Sequence, residues 1–117
     1  MPARDTIVAI AIELKIDPYL HNTLMRDLVA HDRSASAFLV YFHLYCQTIA
    51  IGRISFAASH SVLADSVGLS KRSVQSAIAR LIGRRLIRRR KASATSVPIY
   101  TVLTPWVRPR AVSAQST

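Results

Sequence analysis

The sequence predicts a mainly α-helical chain with a small antiparallel β-hairpin, which places it in the α+β class. Two segments with apolar residues at helical spacing, around 62–67 and 71–82, are separated by Gly68 and Ser70. Two strand-like segments follow at 86–91 and 97–103, joined by small polar residues. Half of the 117 residues are hydrophobic, so we expect one folded domain over 1–106 and a flexible tail over 107–117.

The two central helices are expected to be joined by a tight turn. Gly68 stands where a helix ends in the left-handed conformation, which glycine adopts without a Cβ clash. Ser70 is a favourable N-cap for the second helix, since its hydroxyl accepts from a free backbone N–H. That second helix is predicted to bury one face, formed by Val74, Ala77, Ile78, Leu81 and Ile82.

The opposite face of this second helix is basic and carries no carboxylate. Arg72, Ser76 and Arg80 lie on it, together with Ala79 and Gly83, and its flanks hold Ser73 and Gln75. Arginine pairs with guanine and glutamine with adenine in the major groove, while serine and lysine hold phosphates. The alternative interpretation is an ordinary solvated helix face.

The predicted hairpin is also basic. Its first strand ends in Arg88, Arg89, Arg90 and Lys91, and alternation places about half of such a run on each side of a strand. A charged edge that prevents sheet aggregation is the competing interpretation. Pro98 has no N–H for a ladder bond, so the return strand is expected at a sheet edge or with a local irregularity.

These features together resemble the winged helix-turn-helix of bacterial transcription regulators. The resemblance covers 59–103, under half of the chain, and its residues are Leu63, Ala64, Gly68, Leu69, Ser70, Val74, Leu81, Leu86 and Ile87. It implies that the second helix enters the major groove and that the hairpin touches the DNA backbone or minor groove. Many relatives have glycine where this chain has Arg85, so either Arg85 is left-handed or the helix ends at Gly83.

The charge distribution points to a polyanionic partner for the C-terminal half. The formal net charge is +10, all six acidic residues precede position 66, and eleven of the sixteen basic residues follow it. Nucleic acid is favoured over an anionic membrane surface.

The N-terminal part is predicted to add helices to this core. Residues 7–16 fit a strand better than a helix, and they are apolar enough to pack on the domain or on a second copy, which would make a homodimer. Asp17 and Pro18 begin a helix to about Ala30, with its stripe at Leu20, Leu24 and Leu28.

A second N-terminal helix, over 37–51, is expected to form the central pillar of the core. Ser34 or Ser36 caps it, and its apolar residues point nearly all round. Gly52 is expected to end it. A short strand at 53–56, expected beside the hairpin, and closure of the domain edge by Trp106 complete the expected fold.

The sequence argues against an enzyme. Cys46 is the single cysteine, which excludes an intrachain disulfide and fits the cytoplasm, with a nucleoid association. We find no secretory signal and no apolar run of membrane-spanning length. The four histidines lack metal-ligand spacing, and the C-terminal half has no acidic residue to hold a catalytic metal, so neither a metal nor another cofactor is expected.

We therefore expect a sequence-specific double-stranded DNA-binding protein, a small transcriptional regulator whose DNA-binding core spans about 36–106. The base-edge candidates are Ser70, Lys71, Arg72, Ser73, Gln75 and Ser76. The phosphate candidates are Arg80, Arg84, Arg88, Arg89, Arg90 and Lys91. Two alternatives remain open: a DNA-binding protein that initiates plasmid or phage replication, and a module that binds protein or RNA.

Overall fold

The computed structural model describes residues 15–107, which form an α+β arrangement of four α-helices and a three-stranded antiparallel sheet. The elements in chain order are α1 (18–31), α2 (Ala35–Gln47), a 3₁₀ turn (Ile49–Ile51), β1 (Phe56–Ala57), α3 (His60–Val67), α4 (Lys71–Gly83), β2 (Ile87–Arg90) and β3 (Ile99–Val102). None of the helices in this range has the length and hydropathy to cross a bilayer.

Helix α1 begins where the sequence predicts, but the bounds expected for α2, 37–51, are wrong. Helix α2 begins at Ala35 and ends at Gln47, because Thr48 leaves the helical conformation, and Gly52 ends the 3₁₀ turn Ile49–Ile51 instead. The Asp17 carboxylate accepts from the Tyr19 backbone N–H across 2.9 Å, and Ser34 Oγ accepts from the Ala37 N–H across 3.3 Å, so Ser34 rather than Ser36 caps α2. Within α1, the segments Leu20–Leu24 and Asp27–His31 have i→i+5 hydrogen bonding. The predicted stripe of α1 is buried: Leu20, Leu24 and Leu28.

Helix α2 is the central element of the core, as predicted, and contacts α1, α3, α4 and β3. Tyr41 is fully buried, and its hydroxyl donates to the Leu103 carbonyl across 2.9 Å, which ties α2 to the end of the sheet. Burial raises the pKa of Tyr41, so this hydroxyl keeps its proton. One apolar position of α2 is not covered by the core, since Leu39 remains 43% exposed.

The sheet has the order β1–β3–β2, so β3 is its central strand. The edge position considered for this strand is therefore wrong, and the local irregularity is correct. Pro98 immediately precedes β3, and its carbonyl accepts from the Ala58 N–H across 3.1 Å. Strand β1 begins at Phe56 instead of 53, because the Arg53 N–H bonds back to the Thr48 carbonyl.

The turn between α3 and α4 has the predicted chemistry. Gly68 has φ +83°, and its N–H donates to the Ala64 carbonyl across 2.8 Å. Helix α3 starts at His60, two residues before the predicted start, because Ser59 caps it by accepting from the Val62 N–H.

The two alternatives predicted for the end of α4, a stop at Gly83 or a left-handed Arg85, are both confirmed. The helix ends at Gly83, and Arg85 adopts φ +58° in the turn to β2. Ile82 was expected on the buried face, but it is 40% exposed.

Trp106 closes the domain edge as predicted. Its indole stacks on the Tyr19 ring with centroids 4.3 Å apart, and Nε1–H donates to the Asp17 carboxylate across 3.0 Å. Lys15 and Ile16 are irregular, and the Lys15 N–H donates to the Ala50 carbonyl. The predicted element at 7–14, with its dimer contact, and the tail from 108 lie outside the described residues.

Candidate nucleic-acid interface

Helix α4 is anchored by one face and exposes the other. Ser70 Oγ accepts from the Ser73 N–H across 3.1 Å and also donates to Ser73 Oγ, which fixes the first turn. The buried face consists of Val74, Ala77, Ile78 and Leu81. The exposed positions include most of the predicted base-edge candidates: Ser70, Lys71, Arg72, Gln75 and Ser76. Ser73 is the exception, being half-buried and engaged with Ser70.

The register of β2 sorts the basic residues of the hairpin into two sets. Ile87 pairs with Val102 and Arg89 pairs with Tyr100, and both partners are buried, so Arg89 extends from the face that packs on the helices. Arg88 and Arg90 pair with Thr101 and Ile99 and extend from the opposite face. The predicted division of the run between two sides is therefore correct.

A cleft lies between the two helices and the hairpin; we call it the hairpin cleft. Its volume is about 340 Å³. The first turn of α3 forms one wall, the start of α4 a second, and the hairpin a third. Its lining includes the side chains of His60, Lys71, Gln75, Arg89 and Lys91. Lys91 Nζ also donates to the Ala94 carbonyl across 3.0 Å, which holds the hairpin turn over the cleft.

The hairpin cleft unites residues that are far apart in the sequence. Lys71 and Gln75 come from α4, and Arg89 and Lys91 come from the hairpin, so four of the twelve predicted site residues line one concave surface. The lining residues include no carboxylate. Such a surface is attractive to an anion and has no acidic group to repel one.

The C-terminal half of α4 has a different environment. Arg84 Nη1 donates to the Asp32 carboxylate across 2.7 Å, and Arg84 Nη2 lies 3.8 Å from Asp27. Arg80 Nη1 lies 3.7 Å from the same Asp32 oxygen. Arg80 and Arg84 were predicted to contact phosphates, but the structure places both in ion pairs with the α1 end of the molecule.

Asp32 is the centre of this ion-pair cluster, and only 7% of its side chain is exposed. Burial raises the pKa of Asp32, but the hydrogen bond with His31 and the charges of Arg84 and Arg80 together outweigh it. The pKa therefore lies below the ordinary value of 3.8, and the carboxylate is ionised at neutral pH.

His60 is the site residue that sequence reasoning missed. Its only sequence signal is its place directly after the N-cap Ser59, which puts its side chain at the first turn of α3. Its Nδ1 lies 3.4 Å from Nε2 of Gln75, which is exposed on α4. Burial, followed by the charges of Arg89, Lys71 and Lys91, lowers the pKa of His60 below 6.5.

Comparison of the chain with protein-family models, with curated proteins and with solved structures finds no match. Within 15–107, no three side chains of histidine, cysteine, aspartate or glutamate converge as metal ligands would. His43 instead meets the edge of Phe56, and burial raises the pKa of the Cys46 thiol.

Proposed function

We propose that this protein is a winged helix-turn-helix protein that binds double-stranded DNA sequence-specifically and acts as a small transcriptional regulator in the cytoplasm, associated with the nucleoid. Helix α4 would enter the major groove, and the β2–β3 hairpin would follow the adjacent backbone. The layout of two helices, a tight turn and a three-stranded sheet is compatible with that family.

The observation that carries this proposal is the hairpin cleft. A duplex that met α4 but not the hairpin, or the reverse, would use only half of the basic surface. Lys71 and Gln75 of α4 line the same cleft as Arg89 and Lys91 of the hairpin. A single DNA strand could therefore contact the helix and the hairpin together. Charge in such a concave site attracts phosphates and supplies most of the non-specific affinity.

The exposed part of α4 supplies the proposed base reading. Arg72, Gln75 and Ser76 are exposed on the N-terminal half of the helix, where the first turns of a recognition helix meet base edges. Arg80 and Arg84 have carboxylate partners. We therefore place base recognition in residues 70–76 and assign Arg80 and Arg84 a smaller share of phosphate binding than the hairpin residues.

The proposal is tested by selecting bound fragments from a random duplex library with the purified full chain at a fixed, stated salt concentration. Enrichment of one consensus, with affinity that falls as salt rises, is the expected result. A palindromic consensus would also support the homodimer. Failure to enrich any duplex sequence, or preference for single-stranded RNA over duplex DNA, would refute the proposal.

A matched control separates the proposed surface from general basicity. Lys71→Ala combined with Arg89→Ala removes two charges from the hairpin cleft, whereas Arg26→Ala removes one exposed charge from α1. The first variant is expected to lose at least about tenfold in affinity at moderate salt, because each phosphate contact contributes to counterion release. Arg26→Ala is expected to bind almost as the unmodified chain does.

A further inference from the structure

The imidazole of His60 lies in the hairpin cleft with half of its hydrogen-bonding capacity unused. Its Nδ1 faces the side-chain amide nitrogen of Gln75 across 3.4 Å. Its Nε2 is buried and has no hydrogen-bond partner within the described residues. Native proteins rarely leave a buried ring nitrogen unpaired, so this atom indicates the place of a missing partner.

The contact with Gln75 determines what kind of partner is missing. An amide nitrogen only donates, so Nδ1 is the acceptor and the neutral ring carries its hydrogen on Nε2. The Nε2–H group is then a donor in need of an acceptor. A ligand that supplies an oxygen acceptor at this position would satisfy it.

The charges that face His60 define the chemistry of that acceptor. From α4 it is faced by Lys71 and the neutral Gln75, and from the hairpin by Arg89 and Lys91. Three cations around a donor, with no carboxylate in the lining, favour an oxyanion. A phosphate group is the oxyanion that lies along a duplex at regular intervals.

We propose that the hairpin cleft binds one backbone phosphate of a DNA duplex, and that His60 takes up a proton as this phosphate enters. This inference rests on the proposed function and adds to it the position of one phosphate contact and the uptake of one proton. In the free protein, burial and the three cations hold the pKa of His60 low, so the ring is neutral at pH 7. A phosphodiester brings one negative charge into the cleft, which favours the imidazolium and raises the pKa of His60 in the bound state. Because Nε2 already carries a hydrogen, the proton is added at Nδ1, and the Gln75 side-chain amide turns over so that its oxygen accepts from the new Nδ1–H.

The sign of the pH dependence follows from linkage. The bound state holds its proton more tightly than the free state, so binding takes up a proton at any pH between the two pKa values. DNA affinity therefore rises as pH falls through the bound-state pKa and becomes constant below the free-state pKa. One linked proton gives a change of at most about tenfold per pH unit.

The first test measures the affinity for a fluorescently labelled duplex between about pH 5.5 and 8 at constant ionic strength, a range set by the ordinary histidine pKa. The duplex is a random-sequence pool of fixed length. The unmodified chain is compared with His60→Gln, which keeps a donor but cannot take up a proton. His21→Gln, an exposed histidine on α1, is the matched control.

The unmodified chain and His21→Gln are expected to bind about three- to tenfold more tightly at the acid end than at the alkaline end. His60→Gln is expected to lose this dependence. An equal pH dependence in His60→Gln would overturn the inference while leaving DNA binding intact. Absence of duplex binding at every pH would refute the proposed function itself, so the two failures are distinguishable.

A second measurement needs no variant and reads His60 directly. The ring Cε1–H resonance of His60 is followed by NMR as pH is changed, for the free chain, with the duplex, and with inorganic phosphate at the same phosphate concentration. A pKa that rises with the duplex and much less with inorganic phosphate supports the inference. An unchanged pKa in the duplex complex overturns it, and so does an equal rise with inorganic phosphate, which would make the cleft a site for the free ion.

Discussion

Nη1 of Arg84 donates to Oδ2 of Asp32 across 2.7 Å and joins the C-cap of α4 to the residue that follows α1. The two residues are 52 positions apart, so this contact is a tertiary restraint on α4. It also divides α4 into two parts. The C-terminal half is charge-compensated, whereas Lys71 and Arg72 at the N-terminal end face solvent.

Replacing Asp32 tests the structural role of this ion pair. Asp32→Asn keeps the shape of the side chain but removes the charge that Arg84 and Arg80 share. We expect the free energy of unfolding at pH 7 to fall by about 1.5–3 kcal/mol, the range for hydrogen bonds to charged groups. Urea denaturation measures it. Asp65→Asn, on the exposed side of α3, is the matched control and should change stability by less than about 0.5 kcal/mol.

The same variant has a predicted pH signature. Because the folded-state pKa of Asp32 lies below 3.8, its contribution to stability is complete above that value and is lost as pH falls through the folded-state pKa. The stability difference between the unmodified chain and Asp32→Asn should therefore shrink below about pH 3.8. A difference that stays constant into acid would contradict the assignment of the charge to Asp32.

Arg89 and Arg84 are predicted to differ in DNA binding although both are exposed arginines. Arg89 faces the hairpin cleft, whereas Arg84 is held by two carboxylates. Arg89→Ala should weaken binding evenly across sequences and reduce the slope of log K against log salt by about one. Arg84→Ala should change that slope by less, because its charge is already balanced. Equal slopes for the two variants would contradict the division of α4 described above.

Arg72 is predicted to read a base. It lies one residue after Lys71 at the start of α4, fully outside the ion-pair cluster, and it is exposed. Arg72→Ala should reduce the preference for the selected consensus over mismatched duplexes by about 1–3 kcal/mol. Competition binding with single-base variants of the consensus measures this. A loss of affinity that is the same for every sequence would show that Arg72 holds a phosphate instead.

Two glycines provide a matched pair for the α3–α4 turn. Gly68 has φ +83°, and a Cβ there would meet no atom within 4 Å, so Gly68→Ala should be destabilised through its backbone conformation alone. We expect a loss of about 1 kcal/mol. Gly83 ends α4 without a positive φ and also has open space, so Gly83→Ala should be neutral or stabilising by up to about 1 kcal/mol. Thermal unfolding compares them directly; a loss for Gly83→Ala as large as for Gly68→Ala would contradict this account.

Local chemistry made much of the fold predictable. Caps at Asp17, Ser34 and Ser70, and the glycine at 68, are short-range signals, and each is found where the sequence indicates. Apolar spacing likewise identified the buried face of α4, apart from its last member, Ile82. That residue lies in the final turn of α4, and 40% of it is exposed, although its neighbour Leu81 is fully buried.

The long-range relationships could not be predicted in the same way. A short strand beside the hairpin is expected from the sequence, but nothing local reveals that β3 is the central strand and pairs with both others, because β1 lies some forty positions earlier in the chain. Asp32, which pairs with Arg80 and Arg84, precedes α2 in the sequence, whereas both arginines follow it. Only tertiary packing brings the three side chains together. His60 likewise has no informative sequence neighbours, because its environment is formed by Gln75 and the hairpin, which only the folded chain brings close to it.

The stacking of Trp106 on Tyr19 has a practical consequence. The chain contains one tryptophan, so indole emission reports on a single place in the molecule. The contacts of this indole join the segment after β3 to the beginning of α1: the ring stacks on Tyr19, and the Asp17 carboxylate accepts from its N–H. Separation of these two ends would unstack the ring and expose it to water, so intrinsic fluorescence would follow their undocking without any attached label.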